Sequence, residues 1–501
     1  MTTRIFRAIL APAAMLSIAA CAELDVTNPN NPDIARALAS PADVAKIAKS
    51  SVNSWYLTST AVEPYLMMQV TADASTANFG NFGMRFNNLE PRIAYNNNSA
   101  GGDAAVAVSP WDGNFGALGA ANDALRAIKG GIVIPGTDGT DKTRAAGLFA
   151  QAGAMTNLAL IFDKAFVVSE GTDLAKAPAL VPYTAVRDSA LSKWDALITL
   201  TAGKSWTWDA DVIPLSVPAT AVNINRIANT MAARTLMLSA RTGAENTATN
   251  WTRVLSYADK GITGAGLTDI NFGIIGDGAN IWYSDIIGYG NLDSWNRVDQ
   301  RLINRMASNV PTKYAGTLVA PISQDLRLGS ANLPCTGAGQ PAACLTGVTT
   351  DYVYLATVIG DPARGIFMQA PYYHRRWRDV SYAVPDAAQF GRFIPYVIAA
   401  ENDLMIAEAL VRSNGDLGRA ATLVNKTRVT RGGLAPVAAN SAALLAAISY
   451  ERDVELLNTN GLALFDGRRL EQLQAGTIRQ LPIPAKELET LGLPIYTFGG
   501  N

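Results

Sequence analysis

One stretch restricts the fold more than any other. Residues 399–434 read AAENDLMIAEALVRSNGDLGRAATLVNKTRVTRGGL. Ala400, Leu404, Ala407 and Val411 recur at helical spacing and form one apolar stripe. Ser413-Asn414-Gly415 breaks the period, and Asp416 is suited to cap a second helix. Leu417, Ala420, Val424 and Thr427 continue a face there, and Gly432-Gly433 end it. A connection this short requires antiparallel neighbours. Ala407, Ala409, Ala420 and Ala421 let the two helices approach closely.

A hairpin of this kind cannot bury its apolar face alone, so the pattern implies further helix pairs of tetratricopeptide-like design. The sequence supplies them. Pro41, behind the potential cap Ser40, opens a helix over 41–58. Trp111, Phe115, Leu118, Leu125 and Ile128 share a face in the next. Ala145, Leu148, Ala152, Met155, Ala159, Phe162 and Phe166 step by threes and fours, which predicts a long helix over 141–166. Residues 183–200 and 221–242 form two more, and 251–262 is the antiparallel partner of the latter. A last long helix starts at Ser441, with Leu444, Ala447, Tyr450, Val454 and Leu457 buried. The repeats lack a strict period and are degenerate.

Two regions break this pattern. Residues 59–110 are rich in Asn, Gly and Ala and expose Phe79, Phe82 and Phe86. Between 264 and 396 Gly, Asn, Pro and aromatics accumulate around a short helix at 299–308 and a strand at 351–358. The expected architecture is mainly α: a helical scaffold with a loop-rich insertion carrying minor β structure. Its parts are a signal peptide at 1–20, a tether at 21–40, a helical scaffold at 41–263 with the excursion 59–110, the insertion at 264–396, and closing helices with a tail at 397–501. Loops on a rigid scaffold are where binding groups sit.

The N-terminus reads MTTRIFRAILAPAAMLSIAAC. Arg4 and Arg7 precede an apolar run too short to span a bilayer. The run from Leu16 to Cys21 resembles a bacterial lipobox, in which the cysteine is acylated. The bland alternative is an ordinary signal peptide with a chance cysteine. The following CAELDVTNPNNP contains Asn and Pro that oppose a helix, as in an extended tether. Cys335 and Cys344 then remain as a local pair, expected to form a disulfide in an oxidising compartment, with two free thiols as the alternative.

Composition excludes several functions. Net charge is -1, without the clustered basic residues of a nucleic-acid binder. The single histidine, His374, rules out a multi-histidine metal site and leaves a catalytic triad one possible base. No phosphate-cradling glycine loop, nucleophile elbow or metal motif is evident. No catalytic residue, metal or cofactor is expected.

Taken in order, several pieces resemble the SusD/RagB family of outer-membrane nutrient-binding lipoproteins. They are the lipobox with Leu24-Asp25-Val26, the hairpin with Asn425, Arg428, Arg431 and Leu434, the ERDVEL run, Phe465-Asp466 with Arg468 and Arg469, and RQLPIP. The resemblance is continuous at both ends of the chain and looser in the middle. It departs at Asn460-Gly461-Leu462-Ala463, where the family commonly has Glu-Gly-x-Arg. It implies four tetratricopeptide-like units and a loop-borne ligand site. It also implies a SusC-like TonB-dependent transporter barrel as partner, a lipid anchor in the outer membrane and an outward-facing position. The ligand class is a glycan, or a peptide in some branches.

Sugar binding needs flat apolar faces for ring C–H groups and planar polar side chains for hydroxyls. Trp282, Tyr283, Tyr289 and Trp295, with Asn280, Asp285 and Asn291, fit that composition. So do Tyr372, Tyr373 and Trp377. The bland alternative is that these aromatics pack the inside of the insertion. Glu401, Glu408, Arg412, Glu451, Arg452, Glu455, Asp466, Arg468 and Arg469 could supply paired carboxylates for a lipid-anchored glycoside hydrolase. They read better as ion pairs, with Glu408 and Arg412 at i,i+4 spacing and Glu451 and Glu455 bridging helices. The acylation expectation is tested directly: Cys21→Ala should release the chain from membranes on fractionation, and unchanged membrane retention refutes it.

Overall fold

The computed structural model describes residues 34–77, 80–173, 175–264, 266–277, 281–329, 350–360, 365, 368–382, 389–459 and 461–500. Cys21, Cys335 and Cys344 lie outside them, and the acylation and disulfide expectations with them. The molecule is mainly helical with a few small sheets. A short helix over Ile34–Ala39 already packs on the body, within the stretch expected as tether. Helix α1 (Pro41–Ser59) begins as its sequence dictates, with Pro41 in the first turn and the Ser40 hydroxyl accepting from the Asp43 N–H at 3.4 Å.

Then come α2 (Tyr65–Thr71), β1 (Ser75–Ala77), α3 (Ala105–Lys129), α4 (Gly139–Ile161), β2 (Lys164–Phe166), β3 (Leu180–Pro182), α5 (Tyr183–Thr201), α6 (Ala221–Leu238) and α7 (Trp251–Ala258). The long helices stack in sequence order: α3 lies on α1 and α4, α5 on α4, α6 on α5, and α7 on α6. Helix α4 is buried on almost every side from Ala145 to Ile161. Its small residues permit this. A Cβ on Gly153 would sit 2.4 Å from the indole nitrogen of Trp55, so α1 approaches α4 there only over a glycine. The periodic stripe predicted a helix running to Phe166, but α4 stops at Ile161. Phe162 turns to extended backbone, and Phe166 lies in the β2–β3 ladder. The Arg241 guanidinium donates to the carbonyls of Ala159 and Phe162 and takes up the freed helix end.

Next are β4 (Phe272–Ile275), α8 (Asp285–Gly290), β5 (Asn296–Val298), α9 (Gln300–Met306), β6 (Tyr352–Tyr354), β7 (Tyr372–His374) and β8 (Phe393–Val397). Strands β4 and β8 pair antiparallel, so the chain between them leaves and returns through one ribbon. Within it β6 pairs β7, and β5 reaches back to pair β1. This part has its own small core, in which Leu302, Ile303, Met306, Tyr352 and Tyr372 meet Val454 and Leu457.

The C-terminal helices are α10 (Ala399–Arg412), α11 (Leu417–Arg428), α12 (Ser441–Glu455) and α13 (Ala463–Arg469). The hairpin forms as its sequence requires: Asn414 takes a left-handed turn (φ 55°) and the Asp416 carboxylate accepts from the Arg419 N–H at 2.9 Å. Helix α10 packs on α7, which joins this hairpin to the N-terminal stack.

Two buried ionic knots hold these parts together. Arg327, fully buried in the insertion, bonds Asp325 at 2.7 Å, Glu451 at 2.7 Å and Glu455 at 3.2 Å. Glu455 also pairs with Arg376 at 2.8 Å and Arg431 at 2.9 Å. In the second knot Glu408 accepts from Arg469 and Arg412, each at 2.7 Å, while Asp466 holds Arg452 at 2.9 Å and Arg469 at 2.8 Å. Asp466 thus has arginine donors on both of its oxygens. Burial by itself raises the Glu408 carboxyl, but Arg469 and Arg412 reverse this and hold it at about 2. A carboxyl depressed by folding stabilises the fold above its ordinary value of 4.5, and that contribution disappears as pH falls towards 2. Glu408→Gln should lower stability at neutral pH by about 3 kcal/mol. It should also flatten the loss of stability between pH 4.5 and 2. Denaturant titrations across that range check both.

Candidate ligand-binding site

The half-exposed aromatics of the insertion gather around α8. Ser284 caps this helix, its hydroxyl accepting from the Ile287 N–H at 3.3 Å. The cap sets Asp285 on the first turn and Tyr289 near the last. The Tyr289 ring lies 4.8 Å from Trp295, 5.0 Å from Tyr382 and 6.2 Å from Phe82, centroid to centroid, and Phe82 lies 5.7 Å from Trp295. Separations and tilts of this kind are favourable for aromatic pairs. Trp295 is buried beneath the group, Phe82 and Tyr289 are half-buried, and Tyr382 is 37% exposed. Tyr382 lies across Gly288, where a Cβ would come within 2.4 Å of its ring, so this approach requires glycine.

The group is pinned from three directions. The β1–β5 ladder pairs Ala77 with Asn296 and so fixes the strand that follows Trp295. Gln389 donates to the Ser284 carbonyl at 2.9 Å and accepts from its N–H at 2.7 Å. From beneath, the Tyr373 hydroxyl donates to the Asn291 carbonyl at 2.6 Å, and His374 Nδ1 lies 2.9 Å from Asn291 Oδ1. Burial, reinforced by Arg376 and Arg431, pushes His374 well below its ordinary range, so it stays neutral and acts as a tether.

One carboxylate borders the rings, with Glu63 in electrostatic reach of it. The Tyr382 hydroxyl donates to Asp285 Oδ1 at 2.8 Å. Burial raises Asp285, against that hydrogen bond. Burial also raises Glu63, and the charge of Asp285 adds to the effect. Tyr382 is raised by burial and by Asp285. Flat rings beside partly desolvated acceptors can stack on an apolar ring face and accept hydrogen bonds from hydroxyls.

Of the residues proposed from sequence, Tyr289 and Trp295 come together here, and Tyr283 lies half-buried on the approach to α8. Three others present no free ring face. Trp282 is buried against Tyr56 at 5.4 Å. Tyr372 and Tyr373 are buried strand residues of β7, because the helices and loops around the β6–β7 ladder cover both its faces. Their hydroxyls bond the carbonyls of Val319 and Asn291, the usual requirement for a buried tyrosine. Trp377 is half-buried elsewhere, under Arg376 at 4.8 Å and beside Phe393. Asn291 is wholly buried and serves as the tether point. Asn280 lies outside the described residues. The sequence marks Phe82 as an exposed loop aromatic, but nothing local links it to α8. Tyr382 is missed, its only signal being an aromatic in a loop. Among the described residues no group of three or more His, Cys, Asp or Glu side chains could hold a metal ion.

No protein-family model and no curated protein matches the chain. Solved structures do. A SusD superfamily protein from Bacteroides vulgatus superimposes with a TM-score of 0.60 at 14% identity, covering 90% of this chain and 97% of its own. A SusD-like carbohydrate binding protein from Bacteroides fragilis gives 0.60 at 16% identity, covering 87% of each chain. Surface glycan-binding protein A from Bacteroides thetaiotaomicron, in complex with laminarihexaose, gives 0.61 at 11% identity, covering 91% of this chain and 98% of its own. The agreement covers most of the chain, and its fold is that of the SusD superfamily proteins.

Proposed function

We propose that the chain is a lipid-anchored protein of the outer-membrane surface that binds an oligomeric glycan and passes it to a SusC-like TonB-dependent transporter. The observation that carries this reading is the half-exposed group of Phe82, Tyr289 and Tyr382 over Trp295, with Asp285 at its edge. Sugar rings stack their C–H faces on Tyr289 and Tyr382, and Asp285 and Glu63 accept from hydroxyls. The binding region draws on the insertion 264–396 and, through Phe82, on the excursion 59–110. One protein of this fold holds laminarihexaose, which supports a glycan as the ligand class. Binding proceeds without catalysis: Glu408, Glu451 and Glu455 are buried in ion pairs and serve the scaffold. No helix among the described residues is long and apolar enough to cross a membrane, and the anchor in this reading is Cys21 of the lipobox-like run.

Affinity electrophoresis against a polysaccharide panel tests the ligand class. At least one neutral glycan should retard the protein. Tyr289→Ala should weaken that interaction about 10- to 100-fold. Tyr382→Phe, which removes only the bond to Asp285, should weaken it less. A protein that no glycan retards, but that binds peptides in calorimetry, contradicts the glycan assignment. Release of reducing sugar contradicts the non-enzymatic one.

A further inference from the structure

A polar cavity separate from the aromatic group is lined by none of its residues. It has a volume of about 430 Å³ and is lined by Asp73, Arg301, Arg305, Asp453, Gln472 and Gln474. Four separate parts of the chain meet there. Asp73 follows α2, Arg301 and Arg305 lie one turn apart on α9, Asp453 belongs to α12, and the glutamines follow α13. Leu302 and Ala463 add apolar surface. The size falls in the range of small-molecule sites.

The charges in this lining neutralise one another. Arg301 bonds Asp73 at 3.4 Å and, behind it, Glu90 at 2.5 Å. Arg305 pairs with Asp453. Asp73 is also held by Arg92 at 2.6 Å, and Glu90 by Lys313. Both glutamines have their amide nitrogens committed. Gln474 donates to Asp73 at 2.7 Å and to Glu90 at 3.1 Å, and Gln472 donates to Ser449 at 2.9 Å. Their amide oxygens accept no hydrogen bond from the described residues. The lining thus offers two guanidiniums, two carboxylates and two amide oxygens, all planar, fixed by neighbours and without excess charge.

An anion would meet a carboxylate beside each guanidinium, and a cation a guanidinium beside each carboxylate, so either is opposed by a like charge. A neutral molecule with several hydroxyls meets no such opposition. Each hydroxyl both donates and accepts, so it can bridge adjacent donors and acceptors. We infer that this cavity is a second binding site, for a neutral polyhydroxylated small molecule of monosaccharide size. The inference does not rest on the aromatic site or on what that site binds.

Saturation-transfer NMR on the full chain, with glucose, galactose and myo-inositol as probes, tests it. At least one should bind with Kd of about 1–10 mM, the affinity expected of so small a ligand. Ala463→Phe, which fills the cavity, and Gln474→Leu, which removes one amide, should each weaken it at least about fivefold. Tyr289→Ala should leave it unchanged, and the cavity variants should leave retardation on polysaccharide unchanged. Circular dichroism identifies a variant that fails to fold, and Gln474→Leu then decides. Three results overturn the inference: no probe saturates, glycine or glucuronate binds in place of the neutral probes, or binding is lost in Tyr289→Ala and kept in both cavity variants.

Discussion

The insertion depends on one arginine. Arg327 is fully buried, and a buried guanidinium is tolerable only when carboxylates surround it. Asp325 comes from its own loop, while Glu451 and Glu455 come from one face of α12. Arg376 and Arg431 then share Glu455, and Arg431 reaches Asp351 at 2.6 Å. A helix of the scaffold, the end of the α10–α11 hairpin and three segments of the insertion are thus bound into one set of charges. None of its members can leave without stranding another in a low-dielectric interior. That is how a loop-rich segment with few ladder hydrogen bonds keeps a defined shape.

The aromatic site inherits its geometry from this arrangement. Asp351 and Arg327 hold the start of β6: the Arg327 carbonyl accepts from the N–H groups of Asp351 and Tyr352 at 2.7 and 2.8 Å. Strand β6 pairs β7, whose Tyr373 and His374 grip Asn291 at the end of α8. Helix α8 carries Tyr289 and Asp285. Tyr372 and Tyr373, expected as ligand contacts, are buried, and Tyr373 supports the end of α8. The distinction is physical: a tyrosine whose hydroxyl ends on a buried carbonyl is packed from both sides, while Tyr382 ends on a bordering carboxylate and keeps one side in water.

Much of the scaffold was legible in the residues alone. The cap at Ser40, the turn at Asn414 and the stripes of the long helices are local features, set by neighbours within a turn or two. The ion pair of Glu408 with Arg412 was legible for the same reason. The end of α4 was not, because Ile161 gives way to a strand only where β3 is available to pair and Arg241 is available to donate to the carbonyls at the helix end. The aromatic site was half legible. Tyr289 and Trp295 lie close in sequence and on one short segment, so their composition drew attention to them. Phe82 and Tyr382 come from distant parts of the chain on either side and reach them only through tertiary contacts.

The sequence by itself determined the helical hairpins, their antiparallel order and the two regions that lack long helical periods, because periodicity, caps and glycines act over short range. Only the tertiary structure decided which aromatics face outward, which charges neutralise one another and where the polar cavity opens. Those outcomes depend on burial and on pairs of residues far apart in the chain, and composition cannot separate a tyrosine that stacks on a ligand from one that fills a core.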